Sequence, residues 1–445
     1  MIWLVYNCLF PVVFLLLLPR FLLRMWKRGG YRRGFLQRLG LYAPDLEARL
    51  KSRPRLWIHA VSVGEVQVAL QFLRVLRERE PGSAFVVTTA TSTGHALAAR
   101  RLPADDVLLY FPVDIPWIVR RALNRIRPRA LVLVEGELWP NLLRQARRRR
   151  IPTLLLNGRL SENSFRGYRR LRPLVRRALD CLDLCCMQGD EDARRILDLG
   201  AAPAKVAVLG SAKFDVAPAA AADRDRVLGV LSRAGFPADA RWLVGGSTWP
   251  GEERLLMAAY KLVRAGDSRA RLVLAPRHAE RRASVLADVE AAGLACASWR
   301  ELKAGAAGAP GGRDVLLVDT TGELNQFYGL AAVIFVGKSL TSRGGQNVIE
   351  PAVQGKPIVV GPHTGNFTAV IAAFRAANAL VQVGDAAGLE RAVLALWADE
   401  PARLALGRRA ARVVRAQAGA LRASADRLLA LPGYRREPVR HERDT

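Results

Sequence analysis

The stretch Leu56–Glu80 reads LWIHAVSVGEVQVALQFLRVLRERE. An apolar run, Leu56–Ser62, predicts a buried strand. Gly64 provides a turn, and Glu65 opens a segment with apolar residues at Val66, Ala69, Leu70, Leu73 and Leu76, the stripe of an amphipathic helix over Glu65–Glu80. Short apolar strands followed by such helices make a parallel sheet covered on both faces. The same alternation continues outward. Strands are predicted at Ala84–Thr91, Val107–Phe111, Ala130–Glu135, Thr153–Leu156, Leu184–Gln188 and Val206–Leu209. A second series begins at Arg241, with strands at Trp242–Gly245, Arg271–Ala275, Val315–Val318, Ala332–Val336, Pro357–Val360 and Ala379–Val383. Between the series, Val216–Ala240 loses apolar periodicity and marks a join. Two Rossmann-like α/β domains follow, over residues 29–218 and 219–431, with a polar tail at 432–445.

Composition narrows the partners. The 445 residues carry 68 Lys+Arg against 40 Asp+Glu, a net charge of +28. An excess of this size favours a polyanion: nucleic acid, an anionic bilayer or a phosphorylated substrate. Genome-wide arginine usage is a simpler source of part of it. Five Cys without a C-x-x-C pair and five scattered His give no metal-ligand spacing. No metal site is expected.

Residues 1–28 form an expected membrane anchor. Ile2–Leu23 is apolar apart from Asn7 and Arg20, and Arg24, Lys27, Arg28, Arg32 and Arg33 follow it. A length of about 20 residues just suffices to span, and the trailing positive charge assigns the body to the cytoplasmic side. Pro11 and Pro19 leave a shallow interfacial helix open. A secretory signal fits poorly, because the charge follows the apolar run.

In open parallel sheets, ligands bind beyond the carboxyl ends of the strands. Eight blocks lie there. WIHAVSVGEV places Glu65 at a helix start, where the dipole favours its ionised form; it suits a proton acceptor, and equally a plain helix-start charge. VEGELWPN puts Glu135 and Glu137 directly after a strand. NGRLSENSFRGYRR offers arginine forks for phosphate, or a solvated basic face. GSAKFD sets Lys213 at the end of the first series. GGSTWPGEE, APRH, DTTGE and GGQNVIEP follow strands or glycine turns of the second series and together suit a nucleotide. No G-x-x-x-x-G-K-[ST] and no strand-borne G-x-G-x-x-G is present, against an ATPase or a dinucleotide enzyme.

The ordered blocks HAVSVGE, EGELWPN, NGRLS, GSAKFD, GSTWPGEE, APRH, DTTGEL and GGQNVIEP…GPHTGNF resemble the 3-deoxy-D-manno-octulosonic acid (Kdo) transferases of lipopolysaccharide synthesis. The resemblance runs over nearly the whole chain. It implies a GT-B architecture, two Rossmann-like domains facing a cleft. It implies inverting, metal-independent transfer of Kdo from CMP-Kdo to the lipid A precursor, lipid IVA, at the cell inner membrane, with no cofactor and no nucleic-acid partner. Glu65 would be the general base, and Glu135 and Lys213 would stabilise the transition state. Pro276, Arg277, Thr321, Gly322, Glu323, Asn347, Val348, Ile349 and Glu350 would hold the CMP moiety. Three positions depart from the family pattern: Trp249 stands where many members have His, Gly158 where Ala is frequent, and Gln346 where His is usual. Two rival readings are another GT-B sugar-nucleotide enzyme, such as a UDP-sugar transferase or epimerase, and a membrane-tethered module binding nucleic acid or lipid.

Overall fold

The computed structural model describes residues 34–215, 221–306 and 312–434, together with residues 3, 6–12 and 16. They form two compact units, Met1–Asp215 with Ala418–Thr445, and Val216–Gln417.

The first unit is built on seven parallel strands: β1 (Leu56–Ala60), β2 (Phe85–Thr89), β3 (Val107–Tyr110), β4 (Ala130–Val134), β5 (Thr153–Gly158), β6 (Leu184–Met187) and β7 (Val206–Val208), in the order β3-β2-β1-β4-β5-β6-β7. Side chains alternate across the sheet. Leu56, Ile58 and Ala60 of β1 enter one core, and Trp57 enters the other. Both faces are therefore covered, which is why these strands read as continuous apolar runs rather than as alternating ones. The expected helix after β1 spans Val63–Arg79 and buries Val66, Ala69, Phe72, Leu73 and Leu76 against the sheet. Each large side chain contributes about 2–3 kcal/mol on leaving water.

The second unit repeats the plan with β8 (Arg241–Thr248), β9 (Ala270–Pro276), β10 (Cys296–Ser298), β11 (Val315–Leu317), β12 (Ala331–Val336), β13 (Ile358–Val360) and β14 (Val381–Gln382), ordered β10-β11-β9-β8-β12-β13-β14. The strand β10 has no counterpart in the sequence reading. It is an edge strand of sequence Cys-Ala-Ser, with no large apolar residue to mark it.

One boundary differs from expectation. The second unit ends at Gln417 rather than 431. The helix Ala420–Leu429 returns to the first unit, where Leu421, Ala425 and Leu428 join the core that holds the helix Val63–Arg79. Asp215 fixes its start by accepting the backbone N–H groups of Gly419 and Leu421. An Arg79–Asp426 ion pair at 2.9 Å and a Tyr434 hydroxyl donating to Glu80 at 2.7 Å tie down its far end. An amphipathic pattern shows which face a helix buries, not which surface receives it.

Among the described residues no helix is long and apolar enough to cross a membrane. Most of the expected anchor, residues 1–28, lies outside the described residues. The described part, Tyr6–Val12, is helical. The Tyr6 hydroxyl donates to Asp114 at 2.9 Å, and the Asn141 side-chain amide donates to Asn7 at 2.8 Å. Leu9, Val12 and Leu16 are exposed. The tail beyond 434 also lies outside the described residues.

Candidate active site

The chain order of the first sheet reverses between β1 and β4, and that of the second between β8 and β12. The carboxyl edge at such a switch point is the crevice of an open α/β sheet. Glu65 follows β1, and Glu135 and Glu137 follow β4.

Glu65 belongs to a capping box. Ser62 accepts the Glu65 backbone N–H, and the Glu65 carboxylate accepts Val61 N at 2.8 Å and Ser62 N at 3.3 Å, one to each oxygen. These bonds hold a nearly buried carboxylate in one orientation. Glu135 sits in the left-handed region at φ 62°. For a residue other than glycine this costs about 1–3 kcal/mol. Its half-buried side chain has no hydrogen-bond or ion-pair partner among the described residues. Burial raises its pKa, the charge of Glu65 adds to that, and Lys213 and Arg159 pull it back. The structure thus brings Glu65, Glu135 and Lys213 into one electrostatic cluster. The Lys213 ammonium is lowered by burial and then by Arg159, with Glu135 acting the other way.

Glu137 has the more extreme environment. Burial, then the charges of Glu65 and Glu135, push its carboxyl from 4.5 to about 7. Among the described residues no cation offsets them. Tyr168, the phenol facing it, is itself raised by burial and by Glu137, and it donates its hydroxyl to the Gly136 carbonyl at 3.1 Å.

Lys213 stands on a 3-10 turn, Ala212–Phe214, which the end of β5 holds in place. Asn157, left-handed at φ 55°, accepts Ala212 N through its side-chain oxygen at 2.9 Å. Gln188 donates to the Asn157 carbonyl at 3.0 Å and accepts from Ser211 at 3.2 Å. Asn157 and Gln188 were not singled out from sequence. Asparagine tolerates the left-handed region, and its place at a strand end was the signal available.

At the second sheet, the expected nucleotide residues fall into groups. Pro276 ends β9, and the exposed Arg277 donates its backbone N–H to Thr248 O at 3.1 Å. Asn347 donates to the Glu350 carboxylate at 3.1 Å and accepts Ile349 N at 3.0 Å. Burial raises the Glu350 carboxyl, while the Asn347 bond and the Arg277 charge lower it, so Arg277 and Glu350 lie near each other. The side chains of Val348 and Ile349 are buried, leaving only their backbone for a ligand. Thr321 and Gly322 are exposed on the turn after β11. Beside them, burial pushes the Glu323 carboxyl up, but Lys303, at 2.7 Å, and Thr320 outweigh it and hold it below its ordinary value.

Two carboxylates of GGSTWPGEE are structural. Glu252 is fully buried and accepts four backbone N–H groups: Trp249 and Lys338 on one oxygen, both at 2.8 Å, and Ser339 and Leu340 on the other, both at 3.0 Å. Glu253 accepts the Thr248 hydroxyl at 2.7 Å and both arms of Arg281 at 2.6 and 3.1 Å. Gly337 passes so close to this knot that a Cβ would lie 2.6 Å from the Glu252 carboxylate.

The 3-Deoxy-D-manno-octulosonic-acid transferase (kdotransferase) family matches residues 33–216. A Bordetella pertussis 3-deoxy-D-manno-octulosonic acid transferase is 36% identical over 93% of this chain and 96% of its own. The chain belongs to the Kdo transferase family. A Haemophilus influenzae member of that family is 30% identical over 90% of this chain and 92% of its own. The fold is shared more widely. The UDP-GlcNAc 2-epimerase of Neisseria meningitidis superposes with a TM-score of 0.55 over 83% of this chain and all of that one, at 11% identity. This transferase therefore has two parallel-sheet α/β units resembling the GT-B architecture, and it is a glycosyltransferase.

Proposed function

We propose that this transferase moves Kdo from CMP-Kdo to lipid IVA, with inversion at the anomeric carbon and without a metal, at the cytoplasmic face of the inner membrane. The observation that carries the reading is the grouping of Glu65, Glu135 and Lys213 at the switch point of the first sheet, inside a Kdo transferase chain. Glu65 takes the proton of the attacking lipid hydroxyl as that oxygen bonds to the anomeric carbon. The bond from that carbon to the phosphate breaks, and CMP leaves with the electron pair. Each Glu65 oxygen accepts one backbone N–H, which leaves lone pairs for the substrate proton. Glu135 and Lys213 balance the charge that develops during transfer.

Pro276, Arg277, Thr321, Gly322, Glu323, Asn347 and Glu350, with the backbone of Val348 and Ile349, hold CMP in the second unit. Arg277 and Glu350 form the grouping that best supports this part. The arginines near the first site, Arg159 and Arg166, attract the phosphates of the lipid. The exposed Leu9, Val12 and Leu16 and the net charge of +28 support seating on an anionic bilayer.

The test is incubation of the full chain with CMP-Kdo and lipid IVA, followed by mass spectrometry of the lipid. A product heavier by one or more Kdo units supports the reading. Turnover of a UDP-sugar instead, or calorimetric binding of UDP in preference to CMP, sinks it. Loss of turnover on adding a chelator would remove the metal-free part alone.

A further inference from the structure

Lys338 lies two residues beyond the end of β12, at the switch point of the second sheet. It is left-handed at φ 56°, as is Ser247 at φ 54° on the neighbouring β8. Lysine gains nothing intrinsic from this conformation; a glycine would adopt it without strain. Its backbone is clamped on both sides. Lys338 N donates to Glu252, and Lys338 O accepts Gly345 N at 2.7 Å, at the start of the glycine turn that leads to Asn347.

The same Glu252 oxygen that takes Lys338 N also takes Trp249 N. One fully buried carboxylate therefore fixes the two residues side by side. Their side chains meet: the Lys338 ammonium lies 4.4 Å from the centroid of the Trp249 ring. His278 also meets that indole edge-on, with centroids 5.6 Å apart. Among the described residues the ammonium has no carboxylate or hydrogen-bond partner. Of the arginines that follow β9, Arg281 is paired with Glu253, and Arg277 is exposed. A half-buried, unneutralised ammonium on a rigid aromatic seat, held at a strained backbone position, is an anion receptor.

We propose that the Lys338 ammonium, seated on Trp249, binds an oxyanion of the sugar-nucleotide donor. This rests on the donor reading given above and deepens it, by assigning the charge partner at the second switch point. It also accounts for Trp249 standing where many family members have His: the indole face supports a cation here instead of an imidazole supplying a polar nitrogen. The donor offers two oxyanions, the nucleotide phosphate and the sugar carboxylate.

The Lys338→Gly variant separates binding from folding, because glycine relieves the left-handed backbone while removing the charge. Its melting temperature is expected at or above that of the wild type. Calorimetry with CMP and steady-state KM with CMP-Kdo then give the two arms, each on the full chain. A roughly tenfold weakening of CMP itself assigns the phosphate; unchanged CMP binding with a roughly tenfold higher KM for CMP-Kdo assigns the carboxylate. Trp249→Ala is expected to weaken the same arm to a smaller extent. Unchanged values in both arms for Lys338→Gly overturn the proposal. A wild-type chain that fails to bind CMP at all overturns the donor reading instead, so the two failures are distinct.

Discussion

The two switch points use the same residue in opposite ways. At the first sheet, the side chains of Glu135 and Glu137 reach the strand edge with no hydrogen-bond partners among the described residues, and burial, then the charge of nearby carboxylates, raises their proton affinity. At the second sheet, Glu252 and Glu253 are fully buried yet completely satisfied, by four backbone N–H groups and by an arginine fork. A buried charge with every lone pair occupied is architecture, because moving it would orphan its donors. A carboxylate crowded by like charges and left unpartnered is poised for proton traffic. The difference separates carboxylates that keep lone pairs open to a ligand from carboxylates consumed by the fold.

The comparison breaks most visibly through Glu65. A glutamine oxygen can keep one of the two backbone N–H bonds, enough for a capping box, so Glu65→Gln should lower the melting temperature by only a few degrees while Kdo transfer falls about 100- to 10,000-fold. A variant that transfers at the wild-type rate would remove the first edge from the chemistry. The converse holds for Glu252→Ala. It should cost about 3–5 kcal/mol in denaturant unfolding, since four backbone donors lose their acceptor; a loss under about 1 kcal/mol would show that the second edge is not built on this carboxylate.

Proton affinity sharpens the contrast next. The Glu137 carboxyl is raised from 4.5 to about 7. The folded state therefore binds this proton more tightly than the unfolded chain. Its contribution to stability is fully present below pH 4.5 and is lost as pH rises toward about 7. Burial raises Asp114 to about 6 in the same sense. Comparing urea midpoints at pH 5 and pH 8, the wild type should lose more stability than Glu137→Gln, and an equal loss in both would contradict the crowding.

The smallest effect concerns Asn157. Asn157→Gly keeps the left-handed backbone and removes the bond to Ala212 N. It should lower kcat about threefold to tenfold with little change in KM. In a Lys213→Ala background it should cost nothing further, because its action runs through Lys213. An additive cost would instead mark a general loss of folding.

Much of this was legible in the chain. The thirteen parallel strands besides β1 need only short apolar runs to be seen, and all but β10 were read from them. Glu65, Glu135 and Lys213 were legible because each follows a strand. What escaped reading depended on partners remote in sequence. Lys338 also follows a strand, yet a lone lysine reads as surface until Trp249 and Glu252 are beside it. The placement of Ala420–Leu429 was hidden for the same reason: its apolar stripe fits either unit, and only Asp215, at the end of GSAKFD, decides between them.

That helix has a consequence for biogenesis. The ribosome makes Ala420–Leu429 after the whole of Val216–Gln417. The second unit can therefore fold on the nascent chain while the first still shows the apolar surface that Leu421, Ala425 and Leu428 will cover. The last cover of the sheet bearing Glu65 is synthesised after the whole sheet bearing Lys338. Asp215 closes the loop in time as well as in space, since its carboxylate waits for backbone groups two hundred or so residues downstream. A chain released before residue 418 would carry the whole second unit tethered to a first one whose apolar face is uncovered, the kind of species that chaperones retain.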